Sequence, residues 1–202
     1  MAAKEYDETG GARSAALSEL RRRLSSAPAA VSRSLLSQLY WKDWIDIAAE
    51  PTANPVVRRQ AERMLLARLR DFSLGERIAL ARRATRGLIP GFLEETDPRA
   101  IAALLDNPRL VELDVVRLAG NPAIGSEALE HIAGHPDWGA RRAPRLELLR
   151  RDELPIQTAL RLACRLDRRD LRVLVEDDRV PLVVRVGIER RLDETSGAGE
   201  WS

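Results

Sequence analysis

The stretch LLDNPRLVELDVVRLAGNPAIGSEALEHIAGHPDW, residues 104–138, contains a proline every fourteen residues, at Pro108, Pro122 and Pro136. Each proline follows a residue whose side chain can accept a hydrogen bond in a turn: Asn107, Asn121 and His135. Proline disfavours helix in the residue before it, and it lacks the backbone N–H that a helix interior needs. The repeated x-Pro pair therefore predicts a run of short helices separated by turns.

Apolar residues recur at fixed distances after these prolines. Two residues after them are Leu110, Ile124 and Trp138; seven after are Val115, Leu129 and Ala143; ten after are Leu118, Ile132 and Leu146. Eleven residues after the proline, the first two units have alanine. The third unit has the charged Glu147 there and so departs from the apolar pattern. The spacing of seven, ten and eleven is that of one helix face. Each unit is thus predicted to be an x-Pro turn, a buried anchor such as Trp138 and a helix of two to three turns.

The same device continues on both sides of this stretch. DELPI (152–156) and DRVPL (178–182) share one residue order, and an amphipathic pattern follows each. Asn54-Pro55 and Asp97-Pro98 are typical helix starts, Ser73 and Glu76 have capping-box spacing, and residues 32–50 keep a helical rhythm. No stretch alternates convincingly like a strand. The sequence predicts an all-α single domain over 13–193, an α-solenoid formed as a right-handed stack of nine to eleven short helices. Disordered tails are predicted over 1–12 and 194–202.

NPAIGSEALEHIAGHPDWGARRA, within this region, resembles the leucine-rich repeat variant pattern, in which Asn-Pro, a short turn and a leucine-bearing helix recur. Val57-Arg58 and Val184-Arg185 are similar to the V-R-x-A half of such repeats, and residues 48–192 are more loosely similar to HEAT-like repeats. The resemblance implies a bacterial α-helical repeat protein, a group mostly without assigned function. Some of those relatives hold an iron–sulfur centre on a cysteine cluster. This chain has only Cys164, so no cofactor is expected.

Composition sets limits on the possible partners. The 202 residues carry a net charge of only +2, and of the 33 basic residues all but Lys4 and Lys42 are arginines. Arginine is suited to phosphate recognition, but these arginines are interleaved with acids along the whole chain, which favours a codon bias in a GC-rich genome. No secretory signal and no membrane-spanning apolar run are visible. A cytoplasmic protein that does not bind a membrane is therefore expected.

Residues with catalytic potential are few. Cys164 follows Leu160 by four positions and is expected to be a buried small side chain. His131 and His135 are four residues apart, a spacing that can bind a metal on a helix. Gly134 and Pro136 surround His135, however, which favours a turn or cap role. Acidic pairs are typical of solvated faces, and no phosphate loop or nucleophile motif occurs. The sequence predicts no enzyme and no metal site.

The region 51–100 is the most basic part of the chain, with ten arginines and six acids. Five of the arginines would form one basic patch if their helices were adjacent: Arg58, Arg59, Arg82, Arg83 and Arg86. Such a patch on a helical repeat protein can bind nucleic acid. Glu62 is four residues from Arg58 and can pair with it. Because such pairing reduces the positive charge of the patch, nucleic-acid binding is the alternative function and not the leading one.

Three aromatic residues lie within five positions, Tyr40, Trp41 and Trp44. They either close one end of the core or form an aromatic hot spot for a partner, with Trp41 expected to be the most exposed. The leading prediction is a non-enzymatic scaffold that binds another protein on the surface of its helical stack.

Overall fold

Helices make up all of the regular structure in the computed structural model, which describes residues 34–197 together with Glu19. These residues form eleven α-helices and one 3-10 helix, and they contain no strand. The all-α prediction is therefore confirmed. The predicted tail over 1–12, residues 13–33 of the predicted domain apart from Glu19, and residues 198–202 of the second tail lie outside the described part of the chain.

The chain divides into two compact units, Met1–Leu88 and Ile89–Ser202. The described part of the first unit has a helical turn at 34–37, α1 (Trp41–Ala49), α2 (Pro55–Ala67), a 3-10 helix (Leu69–Asp71) and α3 (Leu74–Arg83). Helix α1 packs against α2 and α3. The predicted caps are confirmed, because the Asn54 side chain accepts the N–H of Val56, and Ser73 and Glu76 form a capping box. The prediction of one domain over 13–193 stays a prediction.

The helix predicted over 32–50 is interrupted just before α1. The carboxylate of Asp43 accepts the backbone N–H of Tyr40 at 3.2 Å and so caps a new helix. The indole N–H of Trp44 donates to the carbonyl of Leu36 at 2.7 Å, at the end of the preceding helical turn. Apolar periodicity could not reveal this break, because Leu36 and Trp44 on its two sides are both buried.

The second unit consists of short helices: α4 (Ile89–Phe92), α5 (Pro98–Leu105), α6 (Glu112–Ala119), α7 (Ser126–Gly134), α8 (Arg142–Leu148), α9 (Ile156–Ala163), α10 (Arg168–Glu176) and α11 (Leu182–Gly197). Helices two positions apart pack together, α5 on α7, α7 on α9, α9 on α11 and α6 on α8. Ion pairs of Arg142 with Asp170 and of Arg150 with Asp177 join the ends of α8 to those of α10. Helix α11 extends four residues into the predicted tail, and an Arg190–Glu194 ion pair lies along it.

The predicted anchors Leu110, Ile124 and Trp138 are all buried, and so are the expected helix faces of the first two repeat units. The third unit differs. Helix α8 begins six residues after its proline, whereas α6 and α7 begin four residues after theirs. The buried face consequently moves to Leu148 and Leu149. The prediction that Ala143 and Leu146 belong to the buried face is wrong, since both are only half-buried.

Candidate interaction surfaces

The asparagines before the repeated prolines close their turns with one common bond. Oδ1 of Asn107 accepts the N–H of Arg109 at 2.8 Å, and Oδ1 of Asn121 accepts the N–H of Ala123 at 3.0 Å. Each asparagine thus satisfies the N–H of the residue two positions on, which is the bond of an Asx turn. The fourteen-residue signal in the sequence therefore marks a repeated turn.

His135 performs this role in the third turn. Its Nδ1 accepts the N–H groups of Asp137 and Trp138 at 3.2 and 3.3 Å, so the predicted turn role is confirmed. Its Nε2 lies 3.7 Å from a carboxylate oxygen of Asp106. The turn also positions Trp138, whose indole N–H donates to the carbonyl of Leu105 at 2.9 Å, so that the third turn is joined to the end of α5.

Two adjoining grooves, of about 310 and 420 Å³, run past this third turn. They share Leu105, Asp106 and His135, and His131 lines the smaller one. At the far end of the larger groove, the Arg141 guanidinium lies 4.7 Å from the ring centroid of Trp138. Among the residues that the structure describes, no group of three or more His, Cys, Asp or Glu side chains could hold a metal ion.

The aromatic residues near the start of α1 are largely inside the first unit. Trp44 is buried, and Trp41 is only 6% exposed, so the expectation that Trp41 is the most exposed is wrong. Its indole N–H donates to Glu76 at 2.7 Å, and its ring lies 5.6 Å from that of Phe72. Tyr40, by contrast, is 52% exposed. Of the three predicted partner-binding residues, only Tyr40 presents a large aromatic surface.

Glu76 connects this aromatic pair to α3. Hydrogen bonds from the Ser73 side chain and backbone hold the pKa of Glu76 below its usual value, and Trp41 and Tyr40 add to this effect. The acid therefore stays ionised and accepts several donors at once. It acts here as a cap and as an anchor for Trp41.

Two buried arginines in the second unit donate to backbone carbonyls at helix ends and in turns. Arg151 donates to the backbone carbonyls of Ala119, Asn121 and Ile124, at and after the end of α6. Arg145 donates to those of Gly139 and Ala140, in the turn before its own helix, and of Arg165, after the end of α9. Burial lowers the pKa of Arg145 below its usual value. This role could not be predicted from the sequence, because no local pattern distinguishes these arginines from exposed ones.

Cys164 is exposed, so the expectation of a buried side chain is wrong. It stands directly after α9, beyond the buried face that Leu162 and Ala163 supply. The guanidinium of Arg191 from α11 lies against it and donates to the Cys164 carbonyl at 3.1 Å. This contact again caps a helix end with an arginine from two helices further along.

The predicted basic patch lies on the first unit and is only partly available. Arg59, Arg82, Arg83 and Arg86 are exposed, and Arg83 also forms an ion pair with Asp46. Arg58 is half-buried, and its Nε is enclosed without a hydrogen-bond partner in the described part of the chain. Whether these arginines act together stays a prediction.

The apolar surface that stands out in the second unit is one side of α11, which we call the end face. It carries Leu182, Val183 and Val186, each more than half exposed. The pattern after DRVPL predicted only an ordinary amphipathic helix here. The available signal was the run Leu182–Val184, because three successive apolar residues cannot all point to one helix face.

A second sequence repeat, of 26 residues, relates the end face to α9. DELPI and DRVPL align at an offset of 26 residues, and this offset places Val186 at the position of Leu160 on α9. Leu160 is covered by α11, and a Cβ added at Gly187 would lie 2.6 Å from its Cδ2. No further described helix covers Val186, which is 54% exposed. Val186 therefore lies where α9 packs against α11, whereas Leu182 and Val183 correspond to Ile156 and Gln157, which are exposed on α9.

Comparisons of this chain with protein-family models, with curated proteins and with solved structures find no match. The resemblance to leucine-rich repeat variant and HEAT-like proteins therefore stays a prediction. In the described ranges, every helix is too short or too polar to cross a membrane.

Proposed function

We propose that this chain is a non-enzymatic scaffold, and that its second unit is a short α-solenoid whose end face binds a helix of a partner protein. The packing of helices two positions apart supports the solenoid, because each short helix buries its apolar side against its neighbours. The turns at a fourteen-residue interval support it as well.

The exposure of Leu182, Val183 and Val186 is the observation that carries the binding proposal. Contiguous apolar surface of this kind marks interaction sites in proteins that fold in water. A partner helix fits best if it has a small residue opposite Val186, since Gly187 is the residue that meets Leu160 inside the unit.

The use of the titratable groups supports a scaffold over an enzyme. The hydrogen bond from Arg142 holds the pKa of Asp170 below its usual value, and bonds from Arg179 and Arg150 do the same for Asp177. Asp170 and Asp177 lie between helix ends, where the ion pairs join α8 to α10. These perturbed carboxylates therefore have a structural use.

The test compares two matched variants, Val186→Asp on the end face and Val173→Asp on α10. The two valines are 54% and 53% exposed, and both are helical, so the substitutions place the same charge in similar surroundings. Tagged full-length protein captures partners from native lysate with nuclease and at high salt. A protein that binds wild type and Val173→Asp but not Val186→Asp supports the proposal. Equal capture by both variants, or no specific protein with wild type, contradicts it.

The exposed Arg59, Arg82 and Arg86 favour a second candidate, nucleic-acid binding by the first unit. Binding to phosphates weakens steeply as salt rises, because counterions are released. Reversing Arg59 and Arg82 to Glu should remove such binding, whereas reversing Arg169 and Arg172, which are exposed on α10, should not. Nucleic-acid affinity that is unchanged by the first pair of substitutions would exclude this candidate.

A further inference from the structure

We propose that His135 makes the connection between α7 and α8 a pH-sensitive joint, which is closed at neutral pH and opens under mild acid. The inference concerns the third of the repeated turns and is independent of any partner. Nδ1 of His135 accepts two backbone N–H groups, from Asp137 and Trp138. A nitrogen that accepts carries no proton, so the neutral ring has its proton on Nε2.

Protonation removes the acceptor on which this turn depends. An imidazolium ring has two N–H donors and no acceptor, so no rotation of the ring can restore the bonds to Asp137 and Trp138. The corresponding turns use the amide oxygens of Asn107 and Asn121, which do not titrate. Of the three turns, only that of His135 depends on an acceptor that a proton can remove.

The charged neighbours of the ring do not replace the lost acceptor. Asp106, at the end of α5, faces Nε2, which is a donor in both protonation states, and its side chain is 65% exposed. An ion pair this exposed is weak, because solvent screens it. Glu130 and His131 line the adjoining groove, and Asp137 follows the turn. Arg141 lies over Trp138 in the larger groove and forms an ion pair with Glu112.

Opening of this turn would act on the packing between repeats. Trp138 is a buried anchor, and its indole N–H donates to the Leu105 carbonyl at the end of α5. The connection is also the irregular one, since α8 begins two residues later after its proline than α6 and α7 do. Proton uptake at His135 therefore loosens the junction between α7 and α8 and leaves the two asparagine turns closed.

Amide hydrogen exchange of the full chain, followed by NMR at about pH 7 and about pH 5.5, tests this inference. After correction for the intrinsic rates, protection at Asp137 and Trp138 should fall about tenfold relative to Arg109 and Ala123, the matching amides of the asparagine turns. His135→Asn, which copies the other turns, should abolish the difference, whereas His131→Asn should keep it. An equal fall in all three turns, or a difference that persists in His135→Asn, would overturn the proposal.

A second measurement needs no variant. The ¹⁵N shifts of the imidazole ring of His135 report which nitrogen carries the proton at neutral pH. We expect an unprotonated Nδ1, and a proton on Nδ1 would overturn the proposal.

Discussion

Arg145 and Arg151 in the second unit are buried, and each donates to three backbone carbonyls. In the first unit, Arg59 and Arg82 lie on helix surfaces and are exposed. All four stand in or beside arginine-rich helices, so composition alone does not separate them. The difference lies in what faces them, because a buried arginine is stabilised only where it finds acceptors for its guanidinium. The second unit supplies those acceptors at the ends of its many short helices.

The largest effect should come from Arg151→Ala. The substitution leaves three carbonyls near the end of α6 without their donor, and we expect a loss of about 2–4 kcal/mol in the free energy of unfolding. Arg59→Ala in the first unit is the control and should change it by less than about 0.5 kcal/mol. Urea unfolding monitored by circular dichroism measures both. Similar losses in the two variants would remove the distinction between the units.

Gly139→Ala tests the close approach in the third turn of the second unit. A Cβ at this position would lie 2.2 Å from the carbonyl oxygen of Ala133, which is backbone and cannot move cheaply. We expect a loss of about 1–3 kcal/mol from overpacking. At Gly134, within α7, a Cβ meets nothing within 4 Å, so Gly134→Ala should be neutral or slightly stabilising. Thermal unfolding measures the stability of the two variants. Equal stability of both would contradict the predicted clash of a Cβ at Gly139 with the Ala133 carbonyl.

In the first unit, Trp41→Phe removes the indole donor to Glu76 and keeps most of the apolar surface. A loss of about 1–2 kcal/mol is expected from the missing hydrogen bond and the smaller ring. Tyr40→Phe removes a longer bond to the same carboxylate, 3.2 Å against 2.7 Å, from an exposed side chain. It should cost less than Trp41→Phe, and the reverse order in urea unfolding would contradict the assigned burial.

The smallest effect concerns the Arg142–Asp170 ion pair of the second unit. The hydrogen bond from Arg142 lowers the pKa of Asp170 from 3.8, so the pair stabilises the fold above that value and is lost as the pH falls through the folded pKa. Because Arg142 is exposed, solvent screens the pair, and we expect the loss to be smaller than in the variants above. Asp170→Asn should flatten the acid limb of stability measured from about pH 5 to about pH 2. A limb of unchanged slope would exclude this contribution.

Local chemistry explains which elements could be predicted from the sequence. Asn54, Ser73 and Asp97 start helices with their own side chains, and Asn107 and Asn121 close turns with theirs. The information for such features lies within a few residues, so it can be read directly.

Features that depend on distant contacts could not be predicted. Trp41 is buried because Glu76 and Phe72 meet it from another part of the chain. The face of α8 shifted because its turn is two residues longer, which periodicity alone does not show. Val186 is exposed where its equivalent Leu160 packs against α11, because no further described helix packs on α11 in that way.

The alternation of packed helices also has a consequence for folding kinetics. Bonds between repeats join residues close in the chain, such as Asn121 with Leu93 at 28 residues and Trp138 with Leu105 at 33. Closing loops of this length costs little more entropy than closing shorter ones, and proteins rich in local contacts fold fast. During synthesis, each helix can pack as soon as the helix two positions further along the chain has left the ribosome. The second unit can therefore assemble stepwise during synthesis.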